Sequence, residues 1–488
     1  MDLPDPMPPY DVDKYINFTK GTFIGIGEDK KPIYWPADKT LPHVEVIGTT
    51  GAGKGVWMGM YISQNVAQGE AVFVLDPKDD EFMPHVVATS AQKYGKQFIY
   101  IDLRPTAPAQ LNFFSGASAE QIEELFLAGF GLTETGKSSD FYSIADRQAA
   151  AMIAKEAVKT GATPSTLCND FLEEILQMKA EKFAGYLREM AEIPSVNALE
   201  GINLRKIVAD GGAVYIVGSM RNTKVMRLQK MMVIKLIQLA EERDRTGEVK
   251  PRPVSVVLDE FLYHISKPVL EGLGAARDKG MHFTLAHQAF ADFARCGADL
   301  DKEAVRGAVI ENCKLKIVYK LEDTDTAKWF AEKSGKILVN EGSFSVERNI
   351  ALSEVVDSKR TIRQGEDNFI TMTEFLNLHE RLGVIFGVGL AKYAFSAPVK
   401  TVKTSKNFVC QAFEGAALIT ATEALNVSDL SIKKQDLRKA DALINDDNET
   451  KKSSPFDPFS FPELPETTDY DFADQIEDQA NKNDSMFS

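Results

Sequence analysis

What the sequence lacks narrows it first. No apolar run approaches the roughly 18 to 20 residues that a membrane-crossing helix needs, so no span is expected in it. Cysteine is sparse. Cys168, Cys296, Cys313 and Cys410 lie far apart with no CxxC spacing, which argues against a disulfide framework or a thiolate metal site and for reduced, buried thiols. The opening MDLPDPMPPYDVDKY is acidic and proline-rich, unlike a secretory signal. No internal repeat is found. These features lead to the expectation of a cytoplasmic chain.

Positive charge is also short, and unevenly so. The formal net charge is -15, but Asp441 to Ser488 alone holds 13 acidic against 3 basic residues. The first 440 residues are therefore near neutral, and the overall sign does not exclude DNA as a partner. The last stretch, 441–488, is rich in Asp, Asn, Ser and Pro and is expected to be a disordered acidic tail. Its segment FDPFSFPELPETTDYDFADQ carries more Phe and Tyr than a purely solubilising tail needs, which favours a role in binding over simple solvation.

What is present is an α/β pattern. Short apolar runs at 44–47, 71–75, 98–101, 213–217, 254–258, 282–286, 314–319 and 384–388 alternate with helix-length segments, as a largely parallel central sheet with crossover helices requires. GTFIGIG and KPIYWP read as a hairpin in a β-rich lead-in over 1–40. Residues 117–200 have helical periodicity and no convincing strand, which predicts an all-α insertion between two parts of one domain, 41–116 and 201–405. A weaker extension, 406–440, precedes the tail.

Two motifs carry chemistry. GTTGAGKG, comprising Gly48, Thr49, Thr50, Gly51, Ala52, Gly53, Lys54 and Gly55, matches G-x-x-x-x-G-K but not the Ser or Thr that ordinarily follows. A strand precedes it and a helix can follow. Such a loop wraps phosphates with backbone N–H groups while its lysine reaches the terminal ones. VSVVLDEF is an apolar strand ending in Asp259 and Glu260. Paired with a phosphate loop, the first would hold a metal, usually through water, and the second would polarise an attacking water. Gln288, just past the strand HFTLA, could sense a terminal phosphate or be a solvated loop residue. Arg277 could act across a subunit interface or be a surface charge, and Arg295 and Arg306 lie in the same region.

The order of phosphate loop, VLDEF, ARDKGMHFTLAHQ and ENCKLKIVYKLEDTDTAKWFAEKSG resembles the HerA/FtsK group of P-loop ATPases, and within it the TraG/TraD-type coupling proteins of conjugation and type IV secretion. FVLDPKDDEF resembles that family's DPKGD segment, with Asp79 in place of its glycine. The resemblance spans about residues 20 to 400 and implies a RecA-like P-loop NTPase domain with an inserted all-α domain. It implies ATP and Mg²⁺ as cofactors, a hexameric ring, and sequence-independent passage of single-stranded or duplex DNA through its pore. Lys54 would then bind phosphates, Asp259 serve the metal, Glu260 activate water, Gln288 sense the γ-phosphate and Arg277 act in trans. The implied partners are channel components and, through the acidic tail, a relaxosome or adaptor protein. The family's usual transmembrane helices are missing from this sequence, so the expected location is the cytoplasm or the inner face of the membrane. The family's GKG variant favours a working site at Gly55. A soluble FtsK/HerA-like translocase and a non-hydrolysing recruitment platform are the alternatives.

Overall fold

Thirteen strands and twelve α-helices form among the described residues of a computed structural model, which are 3–134, 138–243, 251–297, 300–348, 354–403 and 408–418. By contacts the chain divides into two units, Met1–Ala421 and Thr422–Ser488, and the second, with the acidic tail, lies outside the described residues.

The strands are β1 (Gly21–Gly27), β2 (Pro32–Pro36), β3 (Val44–Ile47), β4 (Ala71–Asp76), β5 (Phe98–Asp102), β6 (Gly212–Val217), β7 (Val254–Leu258), β8 (Met281–His287), β9 (Leu315–Val318), β10 (Lys336–Arg348), β11 (Glu354–Asn368), β12 (Leu382–Phe386) and β13 (Lys392–Phe395). Eleven join one sheet in the order β2-β1-β13-β12-β9-β3-β8-β7-β4-β6-β5. From β9 to β5 every pairing is parallel, so seven strands end at one edge. The hairpin β1–β2 does not stand apart as a lead-in. It completes an antiparallel wing with β13 and β12 that is joined to β9. The remaining two strands, β10 and β11, make a long ribbon of their own that sequence periodicity does not announce.

Burial of both sheet faces explains the unbroken apolar runs of the parallel strands. Along β4, Ala71, Phe73 and Leu75 point into one core while Val72 and Val74 point into the other. The second core is filled by α1 (Lys54–Ala67) and α2 (Met83–Lys93). The first is covered by α3 (Ala119–Gly129), α4 (Ile144–Thr160), α5 (Pro164–Gln177), α6 (Glu181–Ala191), α7 (Leu204–Asp210) and α8 (Thr223–Glu241). Phe126, Ile153, Leu167 and Phe183 of these helices share one continuous core with Phe73, Ile216 and Val256 of the sheet. The helical insertion is thus sealed onto the sheet. After β8 follow α10 (Lys302–Asn312), α11 (Thr324–Lys333) and α12 (Met372–Asn377), while α9 (Lys267–Ala275) precedes it.

A C-terminal strap ties the two layers. Phe408 stacks on Tyr100 of β5 at 5.3 Å, and Phe413 N–H donates to Ala109 O at 2.9 Å. Leu199 N–H donates to Glu414 O, and Ala416 N–H to Asn197 O, each at 2.9 Å. Among the described residues no helix is long and apolar enough to cross a membrane.

One ionic group is sunk into the parallel block. The Glu45 carboxylate on β3 accepts from Lys316 Nζ of β9 at 2.7 Å and lies 3.0 Å from His287 Nε2 of β8, all three being buried. Burial alone would raise the Glu45 carboxyl, but Lys316 and His287 override it and hold it below the ordinary range. Glu45→Gln would leave a buried ammonium uncompensated. The expected loss in urea unfolding is about 3–5 kcal/mol, whereas Glu45→Leu combined with Lys316→Met should recover most of it.

Candidate nucleotide-binding site

The carboxyl edge of an open parallel sheet is where α/β folds bind ligands, and both sequence motifs sit there. β3 runs into the loop Gly48–Gly53, and α1 begins at Lys54. Two glycines are obligatory. Gly48 has φ 154°, and a Cβ there would lie 2.7 Å from Tyr319 Cβ. Gly53 has φ 123°, and a Cβ would lie 2.9 Å from Arg381 Cα. Gly55 is different. Its φ is not left-handed, and a Cβ would meet only Met83 Cε at 3.8 Å, so a hydroxyl-bearing residue would fit.

The loop is held from outside by its neighbours. Gly48 N–H donates to His287 O at 3.3 Å, Thr49 N–H to Lys320 O at 2.8 Å, and Arg381 N–H to Ala52 O at 2.9 Å. Lys54 is buried, and its Nζ donates to Gly48 O at 2.5 Å and Thr49 O at 3.0 Å. Burial lowers its pKa despite the nearby carboxylates of Glu260 and Asp259.

β7 delivers the acidic pair. Asp259 N–H bonds Leu75 O at 3.0 Å, and its carbonyl lies 3.2 Å from His264 Nε2. His264 is fully buried, which pushes its pKa down to about 3 and keeps it neutral. Burial raises the Asp259 carboxyl to about 6, with Asp76 and Glu260 adding to the rise and Lys78 opposing it. Glu260 sits in the left-handed region at φ 46°, a strained conformation of the kind that collects at functional sites. Gln288, at the tip of β8, donates from Nε2 to Glu260 Oε1 at 3.2 Å, while Asp292 Oδ2 accepts its backbone N–H at 2.9 Å. Lys54, Asp259, Glu260 and Gln288 therefore gather on one edge around the loop.

Several partners were not singled out by sequence reasoning. Lys78, in the turn after β4, pairs with Glu260 and lies 3.7 Å from Asp259 Oδ2. Asp76 braces that turn, accepting from Lys78 N–H at 2.7 Å, Asp80 N–H at 2.6 Å and Tyr215 Oη at 2.5 Å. Asp79 has φ 60°, which gives a physical reason for a glycine in the DPKGD pattern it replaces. Its carboxylate is held by Arg104, which also chelates Asp102. Glu380 and Arg381, from the wing, close the loop's outer side. The only signal for Lys78 and Asp79 was the DPKDD segment itself.

A cavity of about 300 Å³ opens between α1, α2 and the sheet edge, lined in part by Gly51, Lys54, Gly55, Asp76, Lys78 and Asp259. On the other side of the loop a hollow of about 690 Å³ is bordered by Thr49, Thr50, Gln288, Asp292 and Lys320. The residues suit a nucleoside triphosphate. A glycine-rich loop at a helix N-terminus, a buried lysine and two carboxylates match phosphates carrying Mg²⁺, which binds through one or two carboxylates and its phosphate oxygens. Arg277 is not brought to this edge. It is exposed in the turn Ala276–Lys279 before β8, and that strand separates it from Gln288 by about 20 Å or more. Arg295 is exposed in the turn after Gln288, and Arg306 lies over the Phe290 ring at 4.6 Å.

The architecture is that of a RecA-like P-loop NTPase fold. The family described as the TraM recognition site of TraD and TraG matches residues 253–380. Mobilization protein A of Escherichia coli is 31% identical over 327 residues, covering 66% of this chain and 60% of that protein. The bacterial conjugative coupling protein TrwBdeltaN70, in its unbound monoclinic form, shares the fold with a TM-score of 0.55 at 13% identity, over 80% of this chain and 91% of that one. The plasmid coupling protein TrwB in complex with ADP and Mg²⁺ does so with a TM-score of 0.56 at 12% identity, over 80% and 92%. The match over residues 253–380 agrees with the TraG/TraD-type resemblance that the motifs carry, and the chain spans 60% of the length of the curated relative.

The raised Asp259 carboxyl has a consequence for stability. A carboxyl whose pKa is higher folded than unfolded favours the fold at low pH, and that contribution is lost as pH rises through about 6. Asp259→Asn should therefore stabilise the nucleotide-free protein at pH 8 by up to about 3 kcal/mol, with the gain shrinking towards zero below about pH 4. Thermal unfolding of both proteins across that range measures it.

Proposed function

We propose that this chain is an ATP-hydrolysing coupling protein that recruits DNA and drives it into a conjugation or type IV secretion channel. The observation that carries the reading is the convergence of Lys54, Asp259, Glu260 and Gln288 at the carboxyl edge, around a glycine-rich loop whose Gly48 and Gly53 have no room for a side chain. The match to the TraM recognition site of TraD and TraG over residues 253–380 and a fold shared with a coupling protein solved with ADP and Mg²⁺ support it.

In this reading Gly48 to Gly55 wrap the phosphates, and Lys54 leaves its loop carbonyls to meet the terminal ones. A bound Mg²⁺ would supply neutralisation of the phosphate charge. Asp259 would hold the metal through water, which suits a site where residue 55 offers no hydroxyl. Glu260 takes the proton of the attacking water, and Gln288, already bonded to Glu260, reports the terminal phosphate to β8. The subunits form a hexameric ring, and DNA passes through its pore by backbone contacts without sequence preference. Residues 117–200 serve as the all-α module of each subunit, and the acidic tail, 441–488, grips a basic relaxosome or adaptor protein. Arg277, kept from its own pocket, completes the neighbour's.

Phosphate release with and without DNA tests the reading. Lys54→Ala should abolish turnover and weaken ATP binding, and Glu260→Gln should bind ATP while losing about 10² or more in rate. Nucleotide binding with no hydrolysis in the unmodified protein would instead leave a recruitment platform.

The trans role of Arg277 has its own test. Arg277→Ala and Lys54→Ala proteins should each be inactive alone, and mixed rings should regain part of the activity, because some interfaces then pair an intact loop with an intact arginine. An arginine finger is worth about 10³ to 10⁵ in rate. No recovery in rings shown to be mixed moves the role to Arg295 or Arg306.

A further inference from the structure

We propose that Lys78 is a built-in competitor of the metal: in the nucleotide-free site its ammonium occupies the Asp259–Glu260 pair and withholds that pair from divalent cations until phosphates arrive. The inference rests on the nucleotide-site reading above and assigns a role to a residue that this reading leaves idle.

The geometry points to Lys78 in particular. Its Nζ is ion-paired with Glu260 Oε1 and lies 3.7 Å from Asp259 Oδ2, so one cation serves both carboxylates. The other lysine of the cavity is engaged elsewhere, since Lys54 Nζ is bonded to the carbonyls of Gly48 and Thr49. The base of Lys78 is fixed. Asp76 accepts its backbone N–H at 2.7 Å and that of Asp80 at 2.6 Å, while Tyr215 Oη anchors the same carboxylate at 2.5 Å. A fixed base under a flexible four-carbon stem lets the ammonium change partner without moving the turn.

Charge decides the direction of the exchange. Asp259 and Glu260 are neighbours in a mostly buried edge, where two carboxylates without a cation repel strongly. A divalent ion alone must displace Lys78 to gain them. A divalent ion carried on phosphates brings the anions that Lys78 needs next, because Lys78 lines the same cavity as Lys54 and Gly51. The exchange then costs no unpaired charge. With the ammonium moved to phosphate, Glu260 is released to accept a proton. Lys78 thereby couples release of the base to the arrival of nucleotide.

The test is metal binding by the nucleotide-free full chain, read by Mn²⁺ electron paramagnetic resonance titration. Lys78→Met should bind Mn²⁺ at the pair about tenfold or more tightly than the unmodified protein, Lys78→Gln should move the same way, and Lys78→Arg should match the unmodified protein. Adding Asp259→Asn to Lys78→Met should abolish the gain. Circular dichroism confirms the fold of each variant. Unchanged or weaker Mn²⁺ binding in both folded neutral variants overturns the proposal, and so does a gain that survives Asp259→Asn. Binding of a fluorescent ATP analogue is measured in parallel. Its failure with the unmodified protein would remove the nucleotide reading while leaving the metal competition to stand or fall on the Mn²⁺ result.

Discussion

Three backbone hydrogen bonds that the phosphate loop does not make with itself hold the site in register. Gly48 is tied to the end of β8, Thr49 to the residues after β9, and Ala52 to Arg381 at the start of the antiparallel wing. The loop cannot shift without disturbing the strand that bears Gln288 or the wing that closes its outer side. Below it, Glu45, His287 and Lys316 bind the same three strands together through buried charge. This accounts for the wing. Its hairpin β1–β2 lies far from the nucleotide edge in pairing order, yet through β13 and β12 it fixes Arg381, whose Cα stands where a side chain at Gly53 would have to go.

Much of this was legible in the sequence, and the exceptions share a cause. The parallel strands appear as apolar runs because both faces are buried, and the loop and the Asp259–Glu260 pair follow from spacing alone. Helices over 117–200 were visible as periodicity, but their single core with the sheet was not, because sharing a core leaves no local trace. The wing was half seen. A strand near 384–388 and the hairpin at 21–36 could be read, while their union depends on pairings such as Ile26 with Phe395. Lys78 shows the limit most sharply. The DPKDD segment marks its place but not its role, since its ionic partners lie about 180 residues away. Asp79 was noticed only as a departure from a pattern, and its positive φ supplies the reason the pattern has glycine there.

The unusual Gly55 also takes on a different meaning. Neither its backbone conformation nor its surroundings require glycine, since a Cβ would make only an ordinary contact with Met83 Cε at 3.8 Å. The missing hydroxyl is therefore a feature of the chemistry rather than of the fold. A few ångströms of the same cavity hold a lysine on the acidic pair. Under the proposed function, a site that offers a metal one ligand fewer, and guards two others with an ammonium, would bind that metal weakly until phosphates supply the remaining oxygens.

The sealed core limits how such a site can do mechanical work. Helices α3 to α8 share buried side chains with the sheet, and the strap from Phe408 to Ala416 stitches β5 to the loops beside α3 and α7. A hinge inside this unit would have to open a close-packed apolar interior, which is far costlier than sliding one polar surface over another. Under the proposed function, hydrolysis would then be expressed as motion of whole subunits against their neighbours, with the sheet and its helical layer moving as one body. The residues that transmit it would lie at the rim, where the turns after β4, β7 and β8 meet solvent. The turn bearing Glu260 touches both of the others, through Lys78 and through Gln288, so a change in what Glu260 holds is felt at once by both neighbours of its strand.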